Sequence, residues 1–231
     1  DPLLDTPNAT YNNNPLLRMH HLADRTRDKI GLGLAYTPFD WLSLGIDLDY
    51  FKDDYSEMYL GLQEAKGNTY TASLSYTFSE TLAGSAFYSY DKLSSEQKGS
   101  EDLVEIDPIP WVASDENLTE TVGLGLNWAA IPEKLDLGAE LAYAEFTGTV
   151  EFANTSALPE IGSTLTSVKL HGTYKFSEKF SLRAEYRYEE YEEDDWSKDG
   201  LVDGLEDLLS LGVSPQDNAT SLGLVSLRYD F

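Results

Sequence analysis

The sequence predicts an all-β protein, namely an antiparallel, up-and-down transmembrane β-barrel. Three observations lead to this prediction. Apolar and polar residues alternate with a period of two along nearly the whole chain, as in strands that have one face against an apolar medium. The connections between these strands alternate between short and long. Residues 222–231 form one more alternating strand that ends on an aromatic residue, as the closing strand of an outer-membrane barrel does.

Nine strands are predicted, most of them about ten residues long. A ten-residue strand tilted by about 45° rises about 23 Å, which is close to the height of the apolar band of an outer-membrane barrel. The predicted strands cover residues 28–37, 42–51, 68–78, 82–91, 120–129, 134–146, 164–176, 180–191 and 221–231.

Each predicted strand has an apolar column and a column of small or polar residues. In the first strand Ile30, Leu32 and Leu34 alternate with Gly31 and Gly33. The apolar column falls on even-numbered residues in most strands and switches to odd-numbered residues in the sixth. No Lys or Arg interrupts the middle of an apolar column, where it would cost about 2–4 kcal/mol at the centre of a bilayer. We therefore expect the apolar columns to face lipid.

The connection lengths predict which loops share a rim of the barrel. Short connections are expected at 38–40, 79–81, 131–133 and 177–179, and long ones at about 52–67, 92–119, 147–163 and 192–220. Strict alternation puts all short turns on one rim and all long loops on the other. In barrels of this class the short turns face the periplasm and the long loops face the outside, so we expect the same orientation here.

The aromatic residues cluster at the strand ends. Tyr36, Phe78 and Trp128 lie beside short turns, whereas Tyr50 and Tyr188 lie beside long loops. Two such belts are typical of amphipathic rings at the two interfaces of a membrane. The alternative is a β-sandwich with a tyrosine-rich core, but a core would place its bulky aromatics in mid-strand as often as at the ends.

The composition excludes several classes of function. The formal net charge of −25 argues against nucleic-acid binding, which needs a basic face. The chain has no cysteine and hence no disulfide framework, no CxxC redox pair and no CxxCH haem attachment site. It has no run of about 18 apolar residues that would cross a bilayer as a helix. The start at Asp1 is interpreted as a processed or truncated end.

The odd number of strands predicts that residues 1–231 are one segment of a larger barrel. Bacterial single-chain barrels normally have an even number of strands, with both termini in the periplasm. Residues 1–27 are interpreted as a loop-like entry on the long-loop rim, followed by strands over 28–231. A nine-stranded sheet on its own would expose an unpaired edge to lipid. We therefore expect the missing strands to come from the same polypeptide or from another chain.

Two sequence blocks carry a family resemblance. The first covers residues 22–45 (LADRTRDKIGLGLAYTPFDWLSLG), followed by KDDY at 52–55 and LGL at 60–62. The second covers DDWSKDG at 194–200, LSLG at 209–212, Ser214-Pro215 and the strand from Gly223 to Phe231. These blocks resemble the C-terminal part of the decahaem-associated outer-membrane β-barrel family (MtrB/PioB type). The alternating pattern in the middle of the chain is common to all such barrels and is not specific to this family.

The resemblance implies a structural role. Barrels of this family hold a multihaem c-type cytochrome across the outer membrane for extracellular electron transfer, in some cases with a second, extracellular cytochrome. It follows that this chain would carry no cofactor and catalyse no reaction, and that a partner cytochrome would carry the haem. The chain has only three histidines, His20, His21 and His171, and His171 is interpreted as a polar wall residue rather than a haem ligand.

The polar columns supply the candidate contact residues. Small Gly, Ser and Thr residues leave room in the lumen for a close-fitting protein. The charged residues among them are candidates to contact such a partner or, alternatively, to line a water-filled pore. These candidates are Asp47, Asp49, Lys169, His171, Arg183, Glu185 and Arg187. The C-terminal strand, with Gly223, Leu227, Tyr229 and Phe231, is expected to close the barrel.

Three functional hypotheses follow from the sequence. The first is the cytochrome sheath, and the second is a general or specific diffusion porin with an open lumen. The third is an outer-membrane hydrolase that uses carboxylates, although no nucleophile–base pair supports it. The acidic runs 53–54, 101–102 and 189–195 could bind Ca²⁺, but none has the spacing of a defined Ca²⁺ loop, so a solvated loop is the preferred interpretation.

Overall fold

The computed structural model describes residues 23–55, 59–99, 111–153, 158–196 and 217–229. Nine antiparallel strands form a single sheet in which every strand pairs with its neighbours in sequence. The all-β, up-and-down prediction is therefore confirmed. The strands are β1 Thr26–Phe39, β2 Leu42–Asp54, β3 Gly61–Ser79, β4 Leu82–Gly99, β5 Trp111–Ile131, β6 Leu135–Phe152, β7 Ile161–Lys175, β8 Phe180–Asp194 and β9 Asn218–Tyr229.

The strands are longer than predicted, and the extra residues lie at the long-loop end. β3 begins at Gly61 instead of 68, and β4 runs to Gly99 instead of 91. The predicted long loops at 52–67 and 92–119 were therefore wrong in extent. Beyond the apolar band both faces of a strand are polar, so the alternation fades while the hydrogen-bonded ladder continues. The backbone pairing still holds Gly99 opposite Trp111.

The pairing register places the apolar columns on one face of the sheet, here called the apolar face. Leu44 lies opposite Leu74, and Leu124 lies opposite Leu141. The second pair joins an even-numbered residue to an odd-numbered one and confirms the switch of parity in the sixth strand. Directly opposed residues point to the same side of a sheet, so the other columns share the opposite face, here called the polar face.

The apolar face has no second protein layer against it among the described residues. Ile30 is 69% exposed and Val225 is 70% exposed, and in the described part of the chain only Tyr55, Leu60 and Ala113 form a buried apolar core. Each Å² of apolar surface left in water costs about 25 cal/mol. A face of this kind is stable only against an apolar medium, as at the lipid side of a membrane barrel. No helix in the described ranges is both long and apolar enough to span a membrane.

The apolar band crosses the hydrogen-bonded rows obliquely. The row of directly paired residues that begins at Leu34 on β1 ends at Glu190 on β8. Leu34 lies within the apolar band, whereas Glu190 lies beyond its long-loop edge. The strands must therefore be staggered relative to the band, and tilted, staggered strands are the geometry of a β-barrel wall.

Aromatic side chains join neighbouring strands at the short-turn end. Phe39 stacks on Trp41 at a centroid distance of 4.7 Å, and Trp41 contacts Tyr76 at 5.1 Å. Phe180 on β8 contacts Tyr229 on β9 at 4.7 Å. These contacts agree with the predicted aromatic belt beside the short turns.

The edges of the described sheet are β1 and β9. In β9, Leu227 lies opposite Leu182 and Gly223 lies opposite Tyr186, which puts both residues on the apolar face. Tyr229 shares that face opposite Phe180. The fourth residue of the predicted closing strand, Phe231, lies outside the described residues.

Candidate functional site on the polar face

The part of the polar face formed by β3, β4 and β5 is uncharged at mid-strand, and most of its side chains there are short. On β3, β4 and β5 its mid-strand residues are mostly Ser, Thr, Gly and Ala. They are Thr71, Ser73, Ser75, Ala83, Ser85, Phe87, Ser89, Thr121, Gly123 and Gly125. Thr71 and Ser89 hydrogen-bond across the strands with their hydroxyl oxygens 3.2 Å apart. Such short side chains let another molecule approach close to the backbone.

Large rings on this face lie flat over glycines. A Cβ atom added to Gly123 would lie 2.1 Å from the ring of Phe87, and one added to Gly67 would lie 2.1 Å from the ring of Phe51. Each ring therefore occupies the space that a side chain on the neighbouring strand would take. This arrangement, in which an aromatic covers a glycine across the strands, keeps the polar face smooth.

The predicted carboxylates on β2 also fold over glycines. Oδ1 of Asp49 lies 2.8 Å from the position of a Cβ on Gly31, and Oδ1 of Asp47 lies 2.9 Å from that of Gly33. Lys29 pairs with Asp49 at 3.2 Å. Both carboxylates thus lie against the wall of the sheet, and both belong to the polar face as predicted.

The other five predicted residues come together on β7 and β8. Lys169 lies opposite Arg187, and His171 lies opposite Glu185. Glu185 accepts a hydrogen bond from Arg183 at 3.0 Å and lies 3.8 Å from Arg187. On the other side, Lys169 donates to Glu140 of β6 at 3.2 Å. We call this group the charged panel: Glu140, Lys169, His171, Arg183, Glu185 and Arg187.

The charged panel holds two like charges directly opposite each other. Lys169 and Arg187 face one another across β7 and β8, an arrangement that is destabilising by itself. The carboxylates on either side compensate, since Glu140 pairs with Lys169 and Glu185 with Arg187. Each of the two facing cations of the panel is therefore paired with a carboxylate.

His171 lies flat over a glycine like the aromatic rings. A Cβ on Gly138 would come within 2.1 Å of its Cε1 atom. Its Nδ1 atom is buried and has no hydrogen-bond partner in the structure.

Several large apolar side chains are also exposed on the polar face. Leu222 and Leu224 lie opposite Arg187 and Glu185, so they share the face of the charged panel. Leu222 is 49% exposed and Leu224 is 51% exposed. Phe87, Leu93 and Leu165 on the same face are also at least 40% exposed. The face thus combines hydroxyl groups, a few charges and apolar side chains that have no cover within the described sheet.

An ion-pair cluster closes the long-loop end of the polar face. Arg27 donates from Nε and Nη2 to the two carboxylate oxygens of Asp53 at 2.5 and 2.6 Å, and its guanidinium lies 4.7 Å from the centre of the Phe51 ring. Asp53 is only 3% exposed. The hydrogen bonds from Arg27 hold the pKa of Asp53 below its ordinary value, although burial acts in the opposite direction. Asp53 belongs to the KDDY block, so this part of the sequence resemblance corresponds to a packed feature.

Two ion pairs of the polar face were not predicted from the sequence. The alternating pattern placed Asp136 and Glu140 in the polar column of the sixth strand but did not connect them with Lys175 and Lys169, to which they pair at 3.8 and 3.2 Å. Glu140 lies directly opposite Lys169, whereas Asp136 lies opposite Thr173 and reaches Lys175 diagonally, so neither pair can be recognised before the register is known. The apolar residues of the polar face were missed because the prediction looked for polar contact residues.

The described residues contain no group of three or more His, Cys, Asp or Glu side chains placed to hold a metal ion. On the polar face, the described residues show no hydroxyl nucleophile hydrogen-bonded to a histidine base.

Comparison with known proteins gives matches over nearly the whole chain. A family model described as a putative outer-membrane β-barrel porin, MtrB/PioB, matches residues 3–231. The outer membrane protein MtrB of Shewanella baltica (strain OS185) is 27% identical over 219 residues, which are 94% of this chain and 31% of that protein. The chain therefore spans about a third of the length of this relative.

Solved structures resemble the fold. The copper transporter OprC superposes with a TM-score of 0.68 at 11% identity, over 90% of this chain and 34% of that one. The ferric preacinetobactin receptor BauA of Acinetobacter baumannii gives a TM-score of 0.63 at 12% identity, over 88% and 37% of the two chains. At this level of identity the likeness concerns the strand architecture alone.

Proposed function

The chain belongs to the MtrB/PioB family of putative outer-membrane β-barrel porins, and from this premise we propose that it is part of a barrel that holds a multihaem c-type cytochrome across the outer membrane. The barrel would serve as an insulating sheath for electron transfer between the periplasm and the outside. A second, extracellular cytochrome would dock at the long-loop rim. The polar face would line the lumen, and the apolar face would contact lipid.

The observation that carries the proposal is the exposed apolar surface on the polar face. Phe87, Leu93 and Leu165 lie on strands that are paired on both sides, and each would still leave much of its side chain in water if the lumen were open. Burying a leucine side chain completely is worth about 1.5–3 kcal/mol. A protein in the lumen would cover these side chains, and the low Ser, Thr and Gly wall of β3–β5 would allow it to come close.

The haem would belong to the partner. Covalent attachment of c-type haem uses paired cysteines followed by a histidine, and this sequence has no cysteine. The seven predicted contact residues would then act as polar contacts at the interface with the cytochrome. In this proposal the chain catalyses no reaction.

The orientation and the closure of the barrel are also part of the proposal. The short turns would face the periplasm and the long loops the outside, as in other outer-membrane barrels. Residues 1–231 would form a single barrel segment, with residues 1–27 as the entry on the long-loop rim. Gly223, Leu227, Tyr229 and Phe231 would lie on the strand that closes the cylinder against a strand outside this sequence.

Purification of the native complex tests the proposal. Extraction of the outer membrane in mild detergent is expected to yield the barrel together with a red partner, one cytochrome per barrel, measured by haem absorbance against protein mass. A barrel without haem that conducts ions in a planar bilayer would contradict the sheath and support the diffusion porin. The charged panel favours that alternative, because charged side chains are ordinary in a watery pore.

A further inference from the structure

The short-turn end of the polar face contains a cavity that is rich in cations. It has a volume of ≈ 730 Å³ and lies where the turn between β5 and β6 and the turn between β7 and β8 approach β9. Its charged lining residues are Lys134, Lys175, Arg183 and Arg228 against Glu133 and Glu178. Four cations thus face two carboxylates here, whereas the whole chain has 16 Lys and Arg against 41 Asp and Glu.

The register places this cavity on the lumen side of the wall. Arg183 lies opposite Ser226, and Ser181 lies opposite both Lys175 and Arg228. Arg183 also belongs to the charged panel, so the cavity continues that panel toward the short turns. The serines keep the wall low between the cations, all of which line the same cavity.

The cations can take up further carboxylates. The side chains of Lys175 and Arg183 are 51% and 42% exposed. Lys175 lies 3.8 Å from Asp136, which is longer than a hydrogen bond, and Arg183 uses Nη2 for its bond to Glu185. An arginine has five N–H donors. Ion pairs at such exposed positions contribute little to stability, so an incoming carboxylate can replace them at low cost.

We propose that this cavity is a docking site for an acidic segment of the protein in the lumen, whose Asp and Glu carboxylates bind Arg183, Arg228 and Lys175. The inference rests on the proposed function, because it requires a protein in the lumen. It adds to that function a defined point of contact at the short-turn end.

The charge distribution of the chain explains why such a segment would bind here and not elsewhere. Toward the long-loop end of the polar face stand Asp91, Glu189 and Glu193, which would repel it. Attraction of the segment at one end of the wall and repulsion at the other determine the partner's orientation and position more than they increase its affinity. The cavity would thus set how far the partner slides along the barrel axis.

Charge reversal tests the docking site in the intact complex. Arg183→Glu is compared with Lys29→Glu, since both reverse one cation of the polar face that is paired with a wall carboxylate. After a low-salt wash, we expect Arg183→Glu to lower the ratio of haem to barrel about tenfold or more, and Lys29→Glu to change it by less than about twofold. Heat-dependent migration in gel electrophoresis shows whether each barrel has assembled.

A photocrosslinker tests the site without changing its charges. p-Benzoylphenylalanine at position 226 is expected to link to a peptide of the cytochrome with a clear excess of Asp and Glu, and the same group at position 85 to a peptide without that excess. This result decides the question if Arg183→Glu fails to assemble. A wild-type complex without haem would overturn the proposed function. Two outcomes would overturn the docking site alone, provided that the wild-type complex contains haem. One is equal haem retention by Arg183→Glu and Lys29→Glu, and the other is a crosslink from position 226 to a neutral or basic peptide.

Discussion

At the scale of the residue, the two faces of one strand differ in what they tolerate. Leu44 and Ser43 are neighbours in sequence but belong to opposite faces of β2. An arginine in place of Leu44 would project into hydrocarbon at a cost of about 2–4 kcal/mol at mid-depth, whereas one in place of Ser43 would project into the lumen. The same contrast holds for Leu74 and Ser75 on β3.

We therefore predict that Leu44→Arg and Leu74→Arg block assembly, and that Ser43→Arg and Ser75→Arg leave membrane insertion intact while reducing retention of the partner. The measurement is the amount of heat-modifiable barrel in outer-membrane fractions, with the haem ratio for the serine variants. Equal tolerance at the two pairs of positions would contradict the assignment of the apolar face to lipid.

A second prediction at this scale concerns Asp53 at the long-loop end. The carboxylate accepts two hydrogen bonds from Arg27. A buried hydrogen bond to a charged group contributes about 1.5–3 kcal/mol to stability. The contribution is smaller here because Arg27 is half exposed. We expect Asp53→Asn to lower the free energy of local opening by about 1–2 kcal/mol. Faster hydrogen exchange at residues 26–29, which pair with β2 beside Asp53, would show it, with Asp28→Asn at an exposed position as the control.

The pH dependence of the same cluster follows from the direction of the pKa shift. The pKa of Asp53 is lowered in the folded protein, so the stabilisation is present above the unfolded pKa and is lost as the pH falls through the lower, folded pKa. Protection of residues 26–29 is therefore expected to persist through the ordinary titration range of aspartate, near pH 4, and to disappear only below it. Loss of protection already at pH 5 to 6 would contradict this account.

At the scale of the element, the pairing of β4 with β5 depends on a glycine that accommodates a ring. A methyl group at position 123 would overlap the ring of Phe87. We predict that Gly123→Ala turns this ring into the lumen and reduces retention of the partner several-fold while the barrel still assembles. Gly162→Ala is the control, since a Cβ there has only an ordinary contact at 3.7 Å.

The strands themselves could be predicted from the sequence because lipid imposes a strict alternation on them. Even the switch of parity in β6 was visible, as Leu137 and Leu141 stand apart from Asp136 and Glu140. The extensions of β3 and β4 toward the long loops could not be predicted, because residues such as Glu64 and Lys66 show no apolar column. Their side chains form ion pairs instead, and Lys52 and Glu64 pair across β2 and β3 at 2.5 Å.

The candidate site was predictable only in part, for a related reason. Period-two alternation assigns each residue to a face, so Lys169, His171 and Glu185 could be placed on the polar side. The neighbour across the strand depends on register, which the sequence does not fix. The pairs Glu140–Lys169 and Asp136–Lys175, as well as the cation-rich cavity beside them, follow from register and became visible only in the folded sheet.

At the scale of the whole molecule, charge is graded along the strands. On the polar face of β8, Arg183, Glu185 and Arg187 lie nearer the short turn, and Glu189 and Glu193 follow toward the long loop. The formal net charge of −25 is therefore not spread evenly. A partner in the lumen would meet a positive region at one end and an increasingly negative wall toward the other, and this gradient would favour one orientation of its own charges.

The open edges of the sheet lead to the last prediction. β1 and β9 end the described sheet, and an edge strand in hydrocarbon leaves backbone N–H and C=O groups unpaired at a cost of several kcal/mol each. The family relative is about three times as long as this chain, which covers 31% of it. Strands from such a longer polypeptide would pair with both edges and remove the cost.

We therefore predict that residues 1–231 expressed alone do not refold in detergent into a closed monomer, whereas a polypeptide of the relative's length does. Native mass spectrometry and heat-dependent gel migration distinguish the two outcomes. The isolated segment is expected to aggregate or to associate through β1 and β9, because exposed strand edges pair with any available strand. A heat-modifiable monomer of 25.8 kDa would contradict the prediction. It would mean that the sheet curls far enough for β1 to meet β9, leaving a lumen too narrow for a cytochrome.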